Sequence, residues 1–365
     1  MKYPVAASRR DIVATLAIAG LACVSATPGK AEQILEQEIV QNHRQNILWT
    51  VRDVIQNRRL APPVPGMVRS QFTGEEFEFD NRRPFEQSAR HAFDALGYAK
   101  APAMAPPPAP VWLFGVNAIG AVDQTRTAGV GTTAASGTAA FDVTKIGIFM
   151  ASDALTFVAT GTGIWAHTFG LDITTSAGAG TLAYTNGGFS TDFTASATWS
   201  NPKSVFPGVI APPNSSSIAY TGNVQYKFDL PDKWYIEPTI GVTYSELYTA
   251  NFGTQIGNST ELHGGARVGT EFKWMTYTVQ PQVSGAVFQN VSQNGALAGA
   301  VPGLIGAAAG SSTGGVGWRG SGRVNVIWTP NFSSFVDVHG MAIAANITTP
   351  STQSVGSSVG LRYSW

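Results

Sequence analysis

Charge is what this sequence has least of. Lys, Arg, Asp and Glu make up 13% of its 365 residues, roughly half the share usual in soluble globular proteins, and the two signs cancel to a formal net charge of +0. That balance excludes the basic footprint of a nucleic-acid binder and the long-range steering of an ionic substrate. Cysteine occurs once, as Cys23, inside an apolar leader. Once the leader is removed, disulfides, thiolate catalysis and Cys-ligated metals are excluded. The five histidines are scattered, with no paired spacing on one strand or helix, so no metal site is expected. No apolar run approaches ~18 residues, so no transmembrane helix is expected either. The G-x-G pattern in "GVGWRGSG" lacks a following helix and does not read as a phosphate loop, so no cofactor is expected.

What is present is glycine (40 residues), aromatics (19 Phe and 10 Tyr) and 44% hydrophobic residues overall, with polarity carried mainly by Ser, Thr, Asn and Gln. This mixture suits half-buried sheet better than a helical enzyme core. The chain opens with a basic stretch (Lys2, Arg9, Arg10), an apolar run from Ile12 to Val24 and small residues beyond, the pattern of a cleaved signal peptide. Cleavage is expected after Ala26 or Ala31, and residues 1–31 are taken as the leader. Residues 32–100 read as a helical periplasmic or lumenal region. From Glu32 to Leu60 there is no Gly or Pro, and Ile39, Val40, Ile47, Leu48, Val51, Val54 and Ile55 recur at mainly helical spacing. A second, shorter helix is expected between Pro84 and Gly97. The Pro-rich linker "APAMAPPPAP", residues 101–110, is stiff and extended.

From Val111 onward the texture is alternating. In "GNVQYKFDLPDKWYIEPTIGVTYSEL", Val224, Tyr226 and Phe228 share one side, against Gln225, Lys227 and Asp229. After the turn, Ile236, Ile240 and Val242 oppose Glu237, Thr239 and Thr243. "ELHGGARVGTEFKWMTYTVQPQVSGAVF" and "GWRGSGRVNVIWTPNFSSFVDVHG" repeat the arrangement. Twelve strands are expected, centred near Val116, Ile146, Gly161, Leu182, Ala195, Tyr226, Ile240, Val268, Val283, Val324, Val338 and Val359. Short connections such as "SDA", "PDK" and "TPN" alternate with long ones such as "VGTTAASGT", "NPKSVFPGVIAPPNSSS" and "NGALAGAVPGLIGAAAGSSTG", the asymmetry of an outer-membrane barrel. A soluble sandwich also alternates, but its solvated face usually carries many Lys and Glu. Here the polar face is mostly uncharged. Aromatics cluster near strand ends (Trp199, Trp234, Trp274, Trp318, Trp328, Tyr363, Trp365), as in an interfacial girdle. The fold class expected is therefore an all-β transmembrane barrel of about twelve antiparallel strands over residues 111–365, preceded by a short α-helical region.

The chain ends "SSVGLRYSW", with Val359, Leu361, Tyr363 and Trp365 on one side of an extended strand. This ending resembles the signal read by the barrel assembly machinery of the outer membrane. "YIEPTIGVTYSE", "ELHGGARVGTEF" with "TVQPQVSGAVF", and "GWRGSGRVNVIW" resemble, in order and spacing, the closing strands of the autotransporter-type translocator barrel. The resemblance implies a twelve-stranded barrel in the outer membrane of a Gram-negative bacterium, with an α-helix in its lumen and a role in export. Residues 32–110 are too few for the long β-helical passenger common in that family. The function expected is thus a pore or a translocator-type scaffold without a large passenger, not an enzyme. It is expected to be monomeric, surrounded by outer-membrane lipid and assembled by the barrel machinery.

Ten charged side chains are expected to face the lumen: Lys227, Asp229, Glu237, Arg267, Glu271, Lys273, Arg319, Arg323, Asp337 and Arg362. They either set ion selectivity and hold a plug, as charged rings do in pores, or pair with one another and brace the wall. An outer-membrane hydrolase built on His263 or His339 with Asp337 and a serine is the alternative of another class, and such sites are recognised by geometry alone. A surface adhesin, resting on the loop from Gly295 to Gly315, is a third. The barrel reading predicts heat-modifiable migration: an unboiled sample should run apart from a boiled one on a denaturing gel, and a single unshifted band would contradict it.

Overall fold

A computed structural model describes Val51, Val54 and residues 111–127, 130–150, 153–168, 170–205, 213–295, 314–344 and 351–365. The expected leader, the linker and the second helix lie outside the described residues. The strand segments are β1 (Val111–Thr127), β2 (Val130–Ile146), β3 (Asp153–Thr168), β4 (Leu171–Asn186), β5 (Phe189–Ser204), β6 (Ser215–Tyr226) and β7 (Phe228–Asp229). They continue with β8 (Trp234–Thr249), β9 (Gln255–Thr270), β10 (Phe272–Trp274), β11 (Tyr277–Gly295), β12 (Val316–Ile327), β13 (Phe332–Ile343) and β14 (Thr352–Ser364). Because β7 prolongs β6 past Lys227 and β10 prolongs β9 past Glu271, the fourteen segments make twelve strands.

Every strand pairs antiparallel with its sequence neighbour, and β14 turns back onto β1 in a register running from Gly115↔Ser364 to Thr127↔Thr352. Val116 lies opposite Tyr363, and both stand exposed on the outer face. Even Trp365 is tied: Phe114 N donates to its carbonyl at 2.9 Å, and its own N–H donates back to the Phe114 carbonyl at 3.1 Å. The ring has no free edge, which is how a sheet satisfies its backbone groups in hydrocarbon.

Strand alternation sorts side chains into an exposed outer set and a buried inner set. Val122, Leu182, Ile240, Val283, Val336 and Val359 point outward and are exposed, as lipid-facing residues must be in a barrel taken out of its membrane. The end that carries Val111 and Trp365 bears outward Trp112, Trp234, Trp274, Trp328, Tyr363 and Trp365, and the opposite end bears Trp165, Trp199 and Trp318. These two aromatic belts bracket the apolar band. The strands of 16 and 17 residues exceed the ~9–11 needed to cross, so their ends stand beyond the bilayer.

Turn chemistry at the end holding Trp365 is tight. Gly187 and Gly188 alone link β4 to β5, with Gly187 at φ 56, the left-handed conformation that a two-residue hairpin demands. Asp153 closes the β2–β3 turn by accepting hydrogen bonds from the amides of Ile148, Phe149 and Met150 at 2.8, 3.0 and 3.1 Å.

Two expectations are corrected. "VGTTAASGT" is not a loop but the first half of β2, so that strand centres near Thr138 instead of Ile146. In that half the outward positions are Ala, Gly and Thr, so it lacks the greasy alternation that marks the later hairpins. The β1–β2 and β3–β4 connections at the far end are consequently as short as the turns at the near end, and longer connections begin only after β5. The seam contacts predict that deleting Trp365 lowers the yield of heat-modifiable barrel in the outer membrane without altering the mobility of the fraction that folds; an undiminished yield would refute its role in closure.

Candidate functional site

The lumen has two unlike walls. On β2 to β5 most inward side chains are uncharged, Asp142, Asp153 and Asp192 being the buried carboxylates among them, and their hydroxyls pair across strands: Thr138 with Thr162 at 2.8 Å, Thr144 with Thr156 at 2.9 Å, Thr175 with Ser200 at 2.9 Å and Thr181 with Thr194 at 2.8 Å. A hydroxyl bonded to its neighbour needs no water. This wall therefore accepts an apolar partner, and it has one. Val51 and Val54 are helical, fully buried, and packed against the inward Ala140, Val158 and Ala183. Val51 and Val54, the described residues of the expected Glu32 to Leu60 helix, thus meet the wall of β2 to β4.

From β8 to β14 the inward face carries the charges. Arg267 donates to Glu237, Arg319 Nη1 to Glu261 Oε1 at 3.2 Å, and Arg362 Nη2 to Asp142 Oδ2 at 3.1 Å. The Arg323 guanidinium lies 3.4 Å over the Phe335 ring, a cation–π contact, and Asp337 pairs with His339 Nδ1 at 2.8 Å. Of the ten expected lumenal charges, Glu237, Arg319, Arg323, Asp337 and Arg362 are buried inside, and Arg267 is nearly so. Lys227 is half-buried near the mouth and bonds Asp229. Asp229 and Lys273 are exposed. They have the inward parity, but β7 and β10 outrun the wall, so both sit at the rim beside the turns. Glu271 is held there too, by Lys233 at 3.6 Å and by Gln280 Nε2 at 3.0 Å. Mutual bracing thus accounts for most of these charges, as burial of a charge requires a partner.

Two of the pairs staple the closing seam by skipping a strand. Arg362 on β14 reaches Asp142 on β2 over Gly115 of β1, where a Cβ would come 2.5 Å from Asp142 Oδ1 and 2.8 Å from Arg362 Nη2. His339 on β13 reaches Asp123 on β1, Nε2 to Oδ1 at 2.7 Å, over Gly356 of β14. There a Cβ would fall 2.1 Å from Asp123 Oδ1. Both windows exist because the intervening residue has no side chain. Asp123, Asp142, Asp192 and Glu261 were not singled out in the sequence: the three aspartates lie outside the hairpins whose alternation is clearest, and Glu261 stands at the first position of one of them.

Hydrolase geometry is not what these histidines form. Both ring nitrogens of His339 are taken by carboxylates, and His263 Nε2 meets Asn223 Oδ1 at 2.8 Å. Among the described residues no cluster of His, Cys, Asp and Glu has the arrangement of a metal site. The loop from Gly295 to Gly315 lies mainly outside the described residues.

Comparison with known proteins places this architecture. The family model described as the autotransporter beta-domain matches residues 111–339, more than half of the chain. The β-domain of the Bordetella autotransporter Brka superposes with a TM-score of 0.51 at 14% identity, over 68% of this chain and 98% of that one. The translocator domain of the autotransporter NalP from Neisseria meningitidis is similar at a TM-score of 0.48 and 10% identity, covering 76% and 97%. The transport unit of the autotransporter AIDA-I from Escherichia coli is similar at 0.42 and 9%, covering 77% and 97%. No curated protein matches the sequence.

The seam staples make a quantitative prediction. Asp142 is 0% exposed, so Arg362→Gln takes the Arg362 charge away from a buried carboxylate and should cost about 3–5 kcal/mol of stability. Urea unfolding of the detergent-folded barrel would show it as a lowered midpoint, and the double variant Arg362→Met with Asp142→Leu should regain much of the loss.

Proposed function

This chain belongs to the autotransporter beta-domain family, and from that premise we propose that it is a translocator-type barrel whose lumen is occupied on one side by its own N-terminal helix. The barrel itself, its place in the Gram-negative outer membrane and its translocator architecture follow from the family and the closed fold. The observation that carries the further step is the seating of Val51 and Val54 on Ala140, Val158 and Ala183. An α-helix with its side chains is ~10–12 Å wide, and a twelve-stranded barrel is wider inside than the filled eight-stranded kind. A helix held against one wall leaves the charged wall facing the rest of the lumen.

The chain does no bond-breaking chemistry in this reading. Support comes from His339, whose two nitrogens serve structural carboxylates. Outer-membrane lipid contacts the belt of outward apolar residues, and the assembly machinery reads the terminal strand through Val359, Leu361, Tyr363 and Trp365. All four are exposed on the outer side, where another protein can reach them before closure.

Conductance in planar bilayers tests the occupied lumen. The double variant Val51→Asp, Val54→Asp puts two carboxylates against a dry wall, and burial of unpaired charge is strongly unfavourable. It should open larger and longer-lived currents than the parent chain, approaching those of a chain lacking residues 32–100. Identical currents in all three proteins would refute the lumenal seat.

A further inference from the structure

The charged wall contains a recess whose floor is made of small side chains. Gln225 on β6, Thr239 on β8, Gly265 on β9, Ala286 on β11 and Arg319 on β12 lie directly opposite one another in register, all pointing inward. The three central residues are short, so the row dips between the Gln225 amide at one end and the Arg319 guanidinium at the other. Arg267 and Arg323 join the lining from the adjacent rows, with the hydroxyls of Ser284 and Ser321. Among the described residues Asp337 is the one carboxylate that reaches the lining. Glu237 and Glu261, which pair with Arg267 and Arg319, do not.

Two independent features point to a ligand. The first is cationic lining: Arg319, whose guanidinium has five N–H donors, meets one oxygen of Glu261 and lies 5.0 Å over the Phe288 ring, and its side chain borders the recess. Gln225 is the second feature. Its side chain is 2% exposed, yet neither its Nε2 nor its Oε1 has a hydrogen-bond partner. A buried amide left unmatched is unfavourable, and native structures rarely keep one. Placed on the recess with three arginines, its N–H₂ is a further donor for an anion.

We propose that this recess is a binding site for an oxyanion, a phosphate or carboxylate group drawn to its arginine-rich lining and accepting a hydrogen bond from the Gln225 amide. The site rests on the reading of the inner strand face as a lumen, and it is compatible with either an open or an occupied pore. The anion has two sources: a free solute, or carboxylates of this chain's own segment "GEEFEFD", in which Glu75, Glu76, Glu78 and Asp80 follow Val54 by some twenty residues in the sequence.

Calorimetric titration of the full chain, folded in detergent and verified by heat-modifiability, with inorganic phosphate tests the site without reference to conductance. Saturable binding is expected, and Gln225→Leu and Arg319→Lys should each weaken it about tenfold, as loss of one charge-assisted hydrogen bond does. If the parent binds nothing but a chain with Glu75→Gln, Glu76→Gln, Glu78→Gln and Asp80→Asn does, the site stands and its natural occupant is that segment. Absence of binding in both chains, or unchanged affinity in Gln225→Leu and Arg319→Lys, would overturn the proposal. A chain that fails the gel test would instead indict the barrel reading.

Discussion

Hydrocarbon offers backbone N–H and C=O groups no partner, and that constraint organises everything else in this molecule. A sheet satisfies it only by closing on itself, so the last strand must find the first. The ring here closes through β14 and β1 down to the reciprocal hydrogen bonds between Phe114 and Trp365. Closure then dictates composition. Each strand presents one face to lipid and one to the lumen, which explains why the sequence is alternating, rich in β-branched and aromatic residues, and poor in charge.

The lumen is where the charge went. Inside a barrel the dielectric is lower than in water, so each charged group needs a partner. The arginines on β9, β12 and β14 all meet acceptors supplied by other strands: Glu237, Glu261 and Asp142 for Arg267, Arg319 and Arg362, and the face of Phe335 for Arg323. On the opposite wall the same requirement is met by hydroxyl pairs. These two solutions differ in what they leave for a third party. Paired hydroxyls present a dry, thin surface that suits the helix side bearing Val51 and Val54, whereas the guanidinium groups surround a recess where the buried Gln225 amide is left unmatched.

Much of the fold was legible in the alternation, and the misses have physical causes. The hairpins from Asn223 to Phe288 and around Val324 show greasy and polar faces in strict order, and their inner and outer sets are those observed. The first half of β2 was hidden because Ala, Gly and Thr serve on its lipid face. Asp229 and Lys273 share the parity of lumenal residues, but parity says which side a residue is on and not how far along the barrel the wall extends. Asp142 and Asp123 gave no local signal of their role. Their partners are Arg362 and His339, more than two hundred residues away.

The sequence by itself determined the class of solution: a period of two over some 250 residues with polar, sparsely charged inner faces admits a closed membrane barrel and few alternatives, because alternation is a local property of each strand. Only the tertiary structure decided the division of the lumen into a helix-bearing wall and a charged wall, and which charges pair across the seam. Those contacts join strands far apart in the chain, or skip a strand over Gly115 and Gly356, and they exist only once register and shear have set which inward residues stand side by side. The terminal tryptophan shows both halves of the division. Its place on the lipid-facing parity was written in the last residues, while its bond to Phe114 required the whole ring to close.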